Sequence, residues 1–337
     1  MTDLRSLSPE QLQQTLTGQP AFRVRQIFDW LQRQGTGSFN EMTNLPHDLR
    51  AQLSKQFQLS TCEIARKQVS QHDGTVKYLF RLNDGEHIES VVMQYTHGHS
   101  ICLSTQVGCR MGCVFCASNL YGCTRNLLAG EMLSQIHTAQ HDLNITISHV
   151  VLMGMGEPLD NYDNTLQFLH LANHPQGLNI SQRKISLSTC GLVPQIDMLA
   201  RENLGITLSV SLHAPSDTLR TKLMPINHRY PIKTLLAACR NYTKTTGRRI
   251  SFEYAMLHGV NDSLAHAHAL SELLRGMLCH VNLIPANEIG RGFAPSLPQH
   301  LRKFQAVLEQ NRINATVRRS LGKDIDAACG MLKSRNH

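Results

Sequence analysis

The sequence predicts an α/β protein, a partial β/α barrel preceded by a small helical unit and joined to it through a β-hairpin. Three observations carry this expectation. Helical apolar spacing dominates up to about residue 58, an alternating pattern then brackets Asn83-Asp84-Gly85, and from Cys102 onward short β-rich runs alternate with helical stretches. The last pattern is that of βα units building one parallel sheet. No Gly-x-Gly-x-x-Gly fingerprint follows the first strand, so a barrel with its site at the C-terminal strand ends is expected over a dinucleotide fold.

The elements follow in order. Ser8-Pro-Glu-Gln supplies an N-cap, a Pro at the first helical position and a capping-box Gln. Val24, Ile27, Phe28 and Leu31 recur at helical spacing before Gly35, a C-cap residue. Trp30 joins that stripe and is read as core packing rather than base stacking. Leu45 to Phe57 gives a third helix, closing a helical unit over residues 1–58. Lys77 to Leu82 and His87 to Met93 form the hairpin of a linking region, 59–100. Within 101–337 the expected strands are His149–Met153, Lys184–Thr189, Thr207–Leu212, Ile250–Met256, Val281–Pro285 and Thr316–Arg319.

Composition narrows the class. A 37.8 kDa chain with 41% apolar residues can fill one large core and a smaller one, and no stretch approaches the roughly 20 apolar residues of a membrane span. Ten Cys without an apolar N-terminal signal segment point to a reducing cytoplasm, where disulfides are transient. A net charge of +8 suits a polyanionic partner such as nucleic acid, though charge alone does not identify one. Without heptads or a long apolar stripe, a monomer is expected.

Cys109, Cys113 and Cys116 form a C-x3-C-x2-C run. Three thiolates on a four-iron cluster leave one iron open to a small-molecule ligand. Zinc is the alternative, with Cys123 or one of the 18 His as a fourth ligand, but paired C-x2-C knuckles are lacking.

Further motifs fall at strand ends. Gly154-Met-Gly-Glu-Pro follows one strand, where glycines admit a close ligand and Glu157 can accept from an ammonium group; a plain strand-to-helix turn explains the same residues. Ser188, Ser211 and His213 end two more strands and Asn287 follows another. Each alone has a bland structural reading. Their convergence on one rim favours a binding site.

Phe115 before the last clustered Cys completes a pattern resembling radical S-adenosylmethionine (SAM) enzymes. Together with Ser211-Leu-His-Ala-Pro, Met224-Pro-Ile-Asn, Asn282-Leu-Ile-Pro-Ala-Asn and Asp324-Ile-Asp-Ala-Ala-Cys-Gly, the chain resembles the RlmN/Cfr family of radical SAM RNA methyltransferases over nearly its whole length. The resemblance implies a radical SAM barrel behind an RNA-binding helical domain, and a [4Fe-4S] cluster on Cys109, Cys113 and Cys116. It also implies SAM, two per turnover, bound by Gly156, Glu157, Ser188, Ser211, Leu212, His213 and Asn287.

It further implies a chemistry. Carbon 2 of adenine has no nucleophilic character, so direct methyl transfer fails and a radical route is needed. Cys329 would take a methyl group from one SAM; a radical from a second SAM would abstract hydrogen from that S-methyl group, and the carbon radical would add to the base. Glu89 would accept the ring proton, and Cys102 would attack the Cys329 sulfur, giving a transient disulfide and free product. Without the resemblance, Glu89 reads as a solvated strand carboxylate and Cys329 as a small packed residue. The implied targets are adenosine in the peptidyl-transferase region of 23S rRNA and, as an additional substrate, adenosine 3′ of the anticodon in tRNA. A flavodoxin or ferredoxin is the expected electron donor.

Two rivals stand beside this reading: Cfr-type methylation at carbon 8, and a radical SAM enzyme acting on a small molecule or peptide. A zinc-stabilised RNA-binding module is a third. Cys62, Cys239 and Cys279 are expected to be packed thiols, Cys123 lies too far for a ligand, and Cys190 is given no catalytic part. Arg183-Lys184, Arg248-Arg249 and Arg318-Arg319 are taken as phosphate contacts.

Overall fold

The computed structural model describes residues 1–287 and 292–333. Its first helix, α1 (Pro9–Thr15), carries the expected capping box: Ser8 Oγ accepts from the Gln11 N–H at 3.3 Å, and Gln11 Oε1 from the Ser8 N–H at 2.8 Å. Helix α2 (Ala21–Asp29) continues through a π turn, Trp30–Gln34, and stops at Gly35, whose φ of 68° is left-handed. Val24, Ile27, Phe28 and Leu31 are buried. Trp30 packs against them and donates its indole N–H to Asn44 Oδ1 at 2.7 Å, a core residue with a satisfied polar edge. Helix α3 (His47–Gln56) starts later than expected because Pro46 is its N-cap.

Four antiparallel strands follow, β1 (Cys62–Val69), β2 (Val76–Leu82), β3 (His87–Tyr95) and β4 (Gly98–Cys102). The expected hairpin is β2–β3, turning at Gly85. Its neighbours β1 and β4 extend it into one edge of the central sheet, because β4 pairs parallel with β7 (Ile147–Leu152). A ribbon of β5 (Gln106–Gly108) and β6 (Cys123–Asn126) and helix α4 (Ala129–Leu143) lie between them in sequence. Beyond β7 come α5 (Tyr162–Asn173), β8 (Ile185–Thr189), α6 (Val193–Arg201), β9 (Thr207–Ser211), α7 (Asp217–Leu223) and α8 (Ile232–Thr246). The chain then forms β10 (Ile250–Met256), α9 (Leu264–Leu274), β11 (Cys279–Pro285), α10 (Pro298–Gln310) and β12 (Ala315–Val317).

Strand order is β1-β2-β3-β4-β7-β8-β9-β10-β11-β12, parallel from β4 onward. This is an α/β barrel left open, with its extra strands on one edge. One apolar core runs from the N-terminal helices into the barrel, including Leu12 and Leu31 as well as Leu152 and Leu208. Buried Arg5 fastens the two parts, donating to the Thr36 carbonyl and, at 3.2 Å, to Ser134 Oγ on α4.

Candidate active site

A cavity opens at the C-terminal ends of the parallel strands. Cys109, Cys113 and Cys116 line one wall; Gly156, Glu157, Ser188, Ser211, His213 and Asn287 line the others, and Cys329 reaches in from the C-terminal segment. Six of the seven residues expected to hold SAM therefore meet there. Leu212 does not. It is fully buried and contributes backbone, donating its N–H to the Glu253 carbonyl at 3.1 Å.

The cysteine run hangs from the β5–β6 ribbon. Gly108, at φ 81°, brings the strands so close that a Cβ would stand 1.9 Å from the Gly122 carbonyl oxygen, and the Cys109 N–H donates to that same oxygen at 2.8 Å. Burial pushes the Cys109 thiol up to about 12 and the Cys113 thiol well above its ordinary value, with the neighbouring thiols adding to both. Only a cation drawing off their protons would make them thiolates.

A single zinc would hold its sulfurs no more than about 4.6 Å apart, twice the Zn–S bond. Among the described residues, the one set of three such ligand atoms within 4.8 Å of one another is elsewhere, at His258, Asp262 and His300. The three thiols line the same cavity, a donor set that fits an iron–sulfur cluster with one iron left open.

Glu157 is buried, and its carboxylate accepts from the Leu159 and Cys190 N–H groups at 3.1 and 2.7 Å. Burial raises its carboxyl despite those hydrogen bonds. The glycines before it line the cavity and have a packing role as well. A Cβ on Gly154 would stand 2.5 Å from the Leu103 carbonyl oxygen and one on Gly156 2.6 Å from Gln106, so they make room for the chain leading to the cysteines.

His213 is held at φ 56°, and its Nδ1 accepts from the Ala255 N–H at 2.9 Å, leaving the proton on Nε2. Burial and then Arg220 lower its pKa to about 3. Its ring meets Phe115 edge-on at 4.7 Å, tying the cysteine loop to the strand rim.

Cys329 stands at the meeting point of two cavities. The second, smaller one is lined by Cys102, Cys116, Met153, Arg318 and Cys329, so the two thiols expected to pair open onto one space. The Asn287 amide donates to the Cys329 carbonyl at 3.1 Å, and the Ala117 N–H to that of Gly330 at 2.7 Å. Cys329 keeps an exposed face, yet desolvation by the groups packed around its thiol raises it, with Arg318 opposing, and burial pushes Cys102 up to about 12.

Glu89 lines neither cavity. It is buried on β3, paired through Oε1 with Lys77 Nζ at 2.8 Å, and capped through Oε2 by the Lys333 N–H at 2.8 Å. Burial raises its carboxyl and Lys77 pulls it back, with a net upward shift.

Sequence reasoning missed one buried cation, Arg220, and did not place the half-buried Arg318 in the site. Arg220 donates to the carbonyls of Cys190, Ser211 and Leu212, clamping two strand ends. Arg318 was expected to contact phosphate, yet it lines both cavities, with Nη1 3.7 Å from Glu253 Oε2, and Glu253 accepts from Asn282 at 2.9 Å. The other basic pairs lie away from the cavity. Arg183-Lys184 immediately precede β8 and Arg248-Arg249 precede β10, at the strand ends opposite the cavity. Cys62, Cys239 and Cys279 are buried as expected, and Cys190 lines the cavity.

Residues 103–270 match the radical SAM superfamily model, and residues 2–59 match the ribosomal RNA large subunit methyltransferase N-terminal domain. A probable dual-specificity RNA methyltransferase RlmN from Desulforamulus reducens is 51% identical over 99% of this chain and 96% of its own. One of the same description from Lachnoclostridium phytofermentans is 48% identical over 98% and 94%. The chain belongs to the RlmN family.

A solved radical SAM methyltransferase from Sphaerobacter thermophilus, 46% identical, superposes with a TM-score of 0.95 over 99% of this chain and 100% of that one. The chain is accordingly a radical SAM RNA methyltransferase using a [4Fe-4S] cluster and SAM. No described helix is long and apolar enough to cross a membrane.

Proposed function

We propose that this enzyme methylates carbon 2 of adenosine in the peptidyl-transferase region of 23S rRNA, and adenosine 3′ of the anticodon in tRNA as a second substrate. The observation that carries the reading is the placement of Cys329: one cavity joins it to the cysteine run and the SAM-binding rim, and the next joins it to Cys102. The relatives' description as dual-specificity RNA methyltransferases supports the substrate class.

Cys109, Cys113 and Cys116 would hold the cluster, and Glu157, Ser188, Ser211, His213 and Asn287 would surround SAM. Together these groups supply an electrophilic methyl group and, on one-electron reduction by a flavodoxin or ferredoxin, a hydrogen-abstracting radical. Cys329 Sγ accepts the methyl and carries it as a thioether. Arg318 beside Cys329 favours the thiolate needed for that step. After the carrier carbon has joined the base, Glu89 would take the ring proton and the unpaired electron left on the base would return to the oxidised cluster that the three cysteines would hold; the Cys102 thiolate then attacks Cys329 Sγ. An S–S bond forms, the S–C bond breaks with its electron pair on the methyl carbon, and that carbon takes a proton. For Glu89 to reach the base, the Lys333 cap must lift.

The test combines anaerobically cluster-loaded protein, SAM, a chemical reductant and 23S rRNA, read by nucleoside mass spectrometry. The expected result is methyl at carbon 2, lost in Cys329→Ala, with a covalent RNA adduct trapped in Cys102→Ala. Methyl at carbon 8 would replace the regiochemistry with the Cfr type. SAM cleavage without RNA methylation would overturn the substrate.

A further inference from the structure

Outside the cavity, the turn after β10 meets the start of α10 in a compact set of ligand atoms. His258 Nδ1 and His300 Nδ1 lie 3.4 and 3.1 Å from Asp262 Oδ2. The ligand atoms of all three residues lie within 4.8 Å of one another. Tetrahedral zinc, with bonds of about 2.0–2.1 Å to nitrogen and oxygen, spaces its ligands about 3.3 Å apart. The two separations bracket that value.

The trio differs from an ordinary surface ion pair in three respects. Its carboxylate side chain is only 5% exposed, while the imidazoles lie at the surface where an ion can arrive. That carboxylate is fixed from behind, by Ser296 Oγ at 2.6 Å on Oδ2 and the Gly259 N–H at 3.0 Å on Oδ1, the outer hydrogen bonds that orient a ligating carboxylate. The two chain segments are also already joined: the His258 N–H donates to the Ala294 carbonyl at 2.9 Å, and Leu257 bridges Pro295. Little ordering remains for an ion to impose.

We propose that His258, Asp262 and His300 form a zinc site, with both imidazoles bound through Nδ1, one carboxylate oxygen, and water in the fourth position. Two neutral imidazoles and a carboxylate are a donor set that zinc takes readily. The ion would clasp the β10–α9 turn to the first turn of α10. The segment that leaves β11 past the cavity residue Asn287 ends at that turn, so zinc would anchor its far end. None of the three ligands lines the catalytic cavity, and the proposal is independent of which RNA is modified.

The test uses untagged, cluster-loaded protein equilibrated with micromolar zinc and dialysed, with zinc and iron quantified together and the zinc environment read by X-ray absorption. The proposal expects about one zinc per chain, a nitrogen and oxygen shell near 2.0–2.1 Å, and at least a tenfold loss of zinc in His258→Ala and in His300→Ala with iron content unchanged. A sulfur shell near 2.3 Å would place the zinc in the cluster site and overturn it. So would zinc retained by both variants, or none held by the parent protein, which would leave the trio as a hydrogen-bonded network.

Discussion

At the residue scale, the site is made of groups whose ordinary charge states are suppressed. His213 shows it best. The unfolded chain binds a proton on such a residue near pH 6.5, whereas the folded one does so only near 3. Folding therefore loses stability as pH falls through that window, by about 1.4 kcal/mol per pH unit from this residue alone. Asn tolerates the left-handed backbone here, and its Oδ1 can take the Ala255 N–H. In His213→Asn the dependence of melting temperature on pH between 6.5 and 5 should be shallower than in the parent; an unchanged slope would refute the neutral, buried imidazole. The cysteine run and most strand-end polar residues were legible in the sequence, because their types and spacing are chemically restrictive. Arg318 was not. A cation is ordinarily a surface group, and nothing in Arg318-Arg319 reveals that one member turns inward toward Glu253.

At the scale of elements, the ribbon of β5 and β6 sets where the cluster ligands start. Gly108 permits the contact with Gly122, and no side chain fits there at φ 81°. Gly108→Ala should push the strands apart and cut reconstituted iron to less than half that of the parent, measured by iron and sulfide analysis; full loading would show that the ribbon does not position Cys109. Strand positions were read well wherever β-rich runs stood between helices, with ends displaced by one or two residues. Short ribbons were not seen, since three residues such as Gln106–Gly108 carry no periodicity. Nor could alternation around Asn83-Asp84-Gly85 show that the hairpin joins the main sheet, because pairing between β4 and β7 is set by distant residues.

At the scale of the whole molecule, the boundary near residue 58 is a change of sequence pattern across which the core continues. Leu4, Leu12 and Leu31 belong to the same apolar core as the barrel strands, and Arg5 is hydrogen-bonded to Ser134 of α4. A chain lacking residues 1–58 would expose that surface to water and is expected to be insoluble or unable to hold its cluster. Soluble, cluster-loaded protein from that truncation would show two separable domains instead. Within the sheet, an unbroken ladder of backbone hydrogen bonds runs from β1 to β12. That continuous sheet offers no break between its strands about which two halves could swing. The described part of the segment after β12, residues 318–333, is tethered near the site by the Asn287, Ala117, Ser118 and Lys333 contacts. Access to the buried carboxylate on β3 would then require those four hydrogen bonds to open together, a local unfolding that belongs to the microsecond to second range rather than to free loop motion.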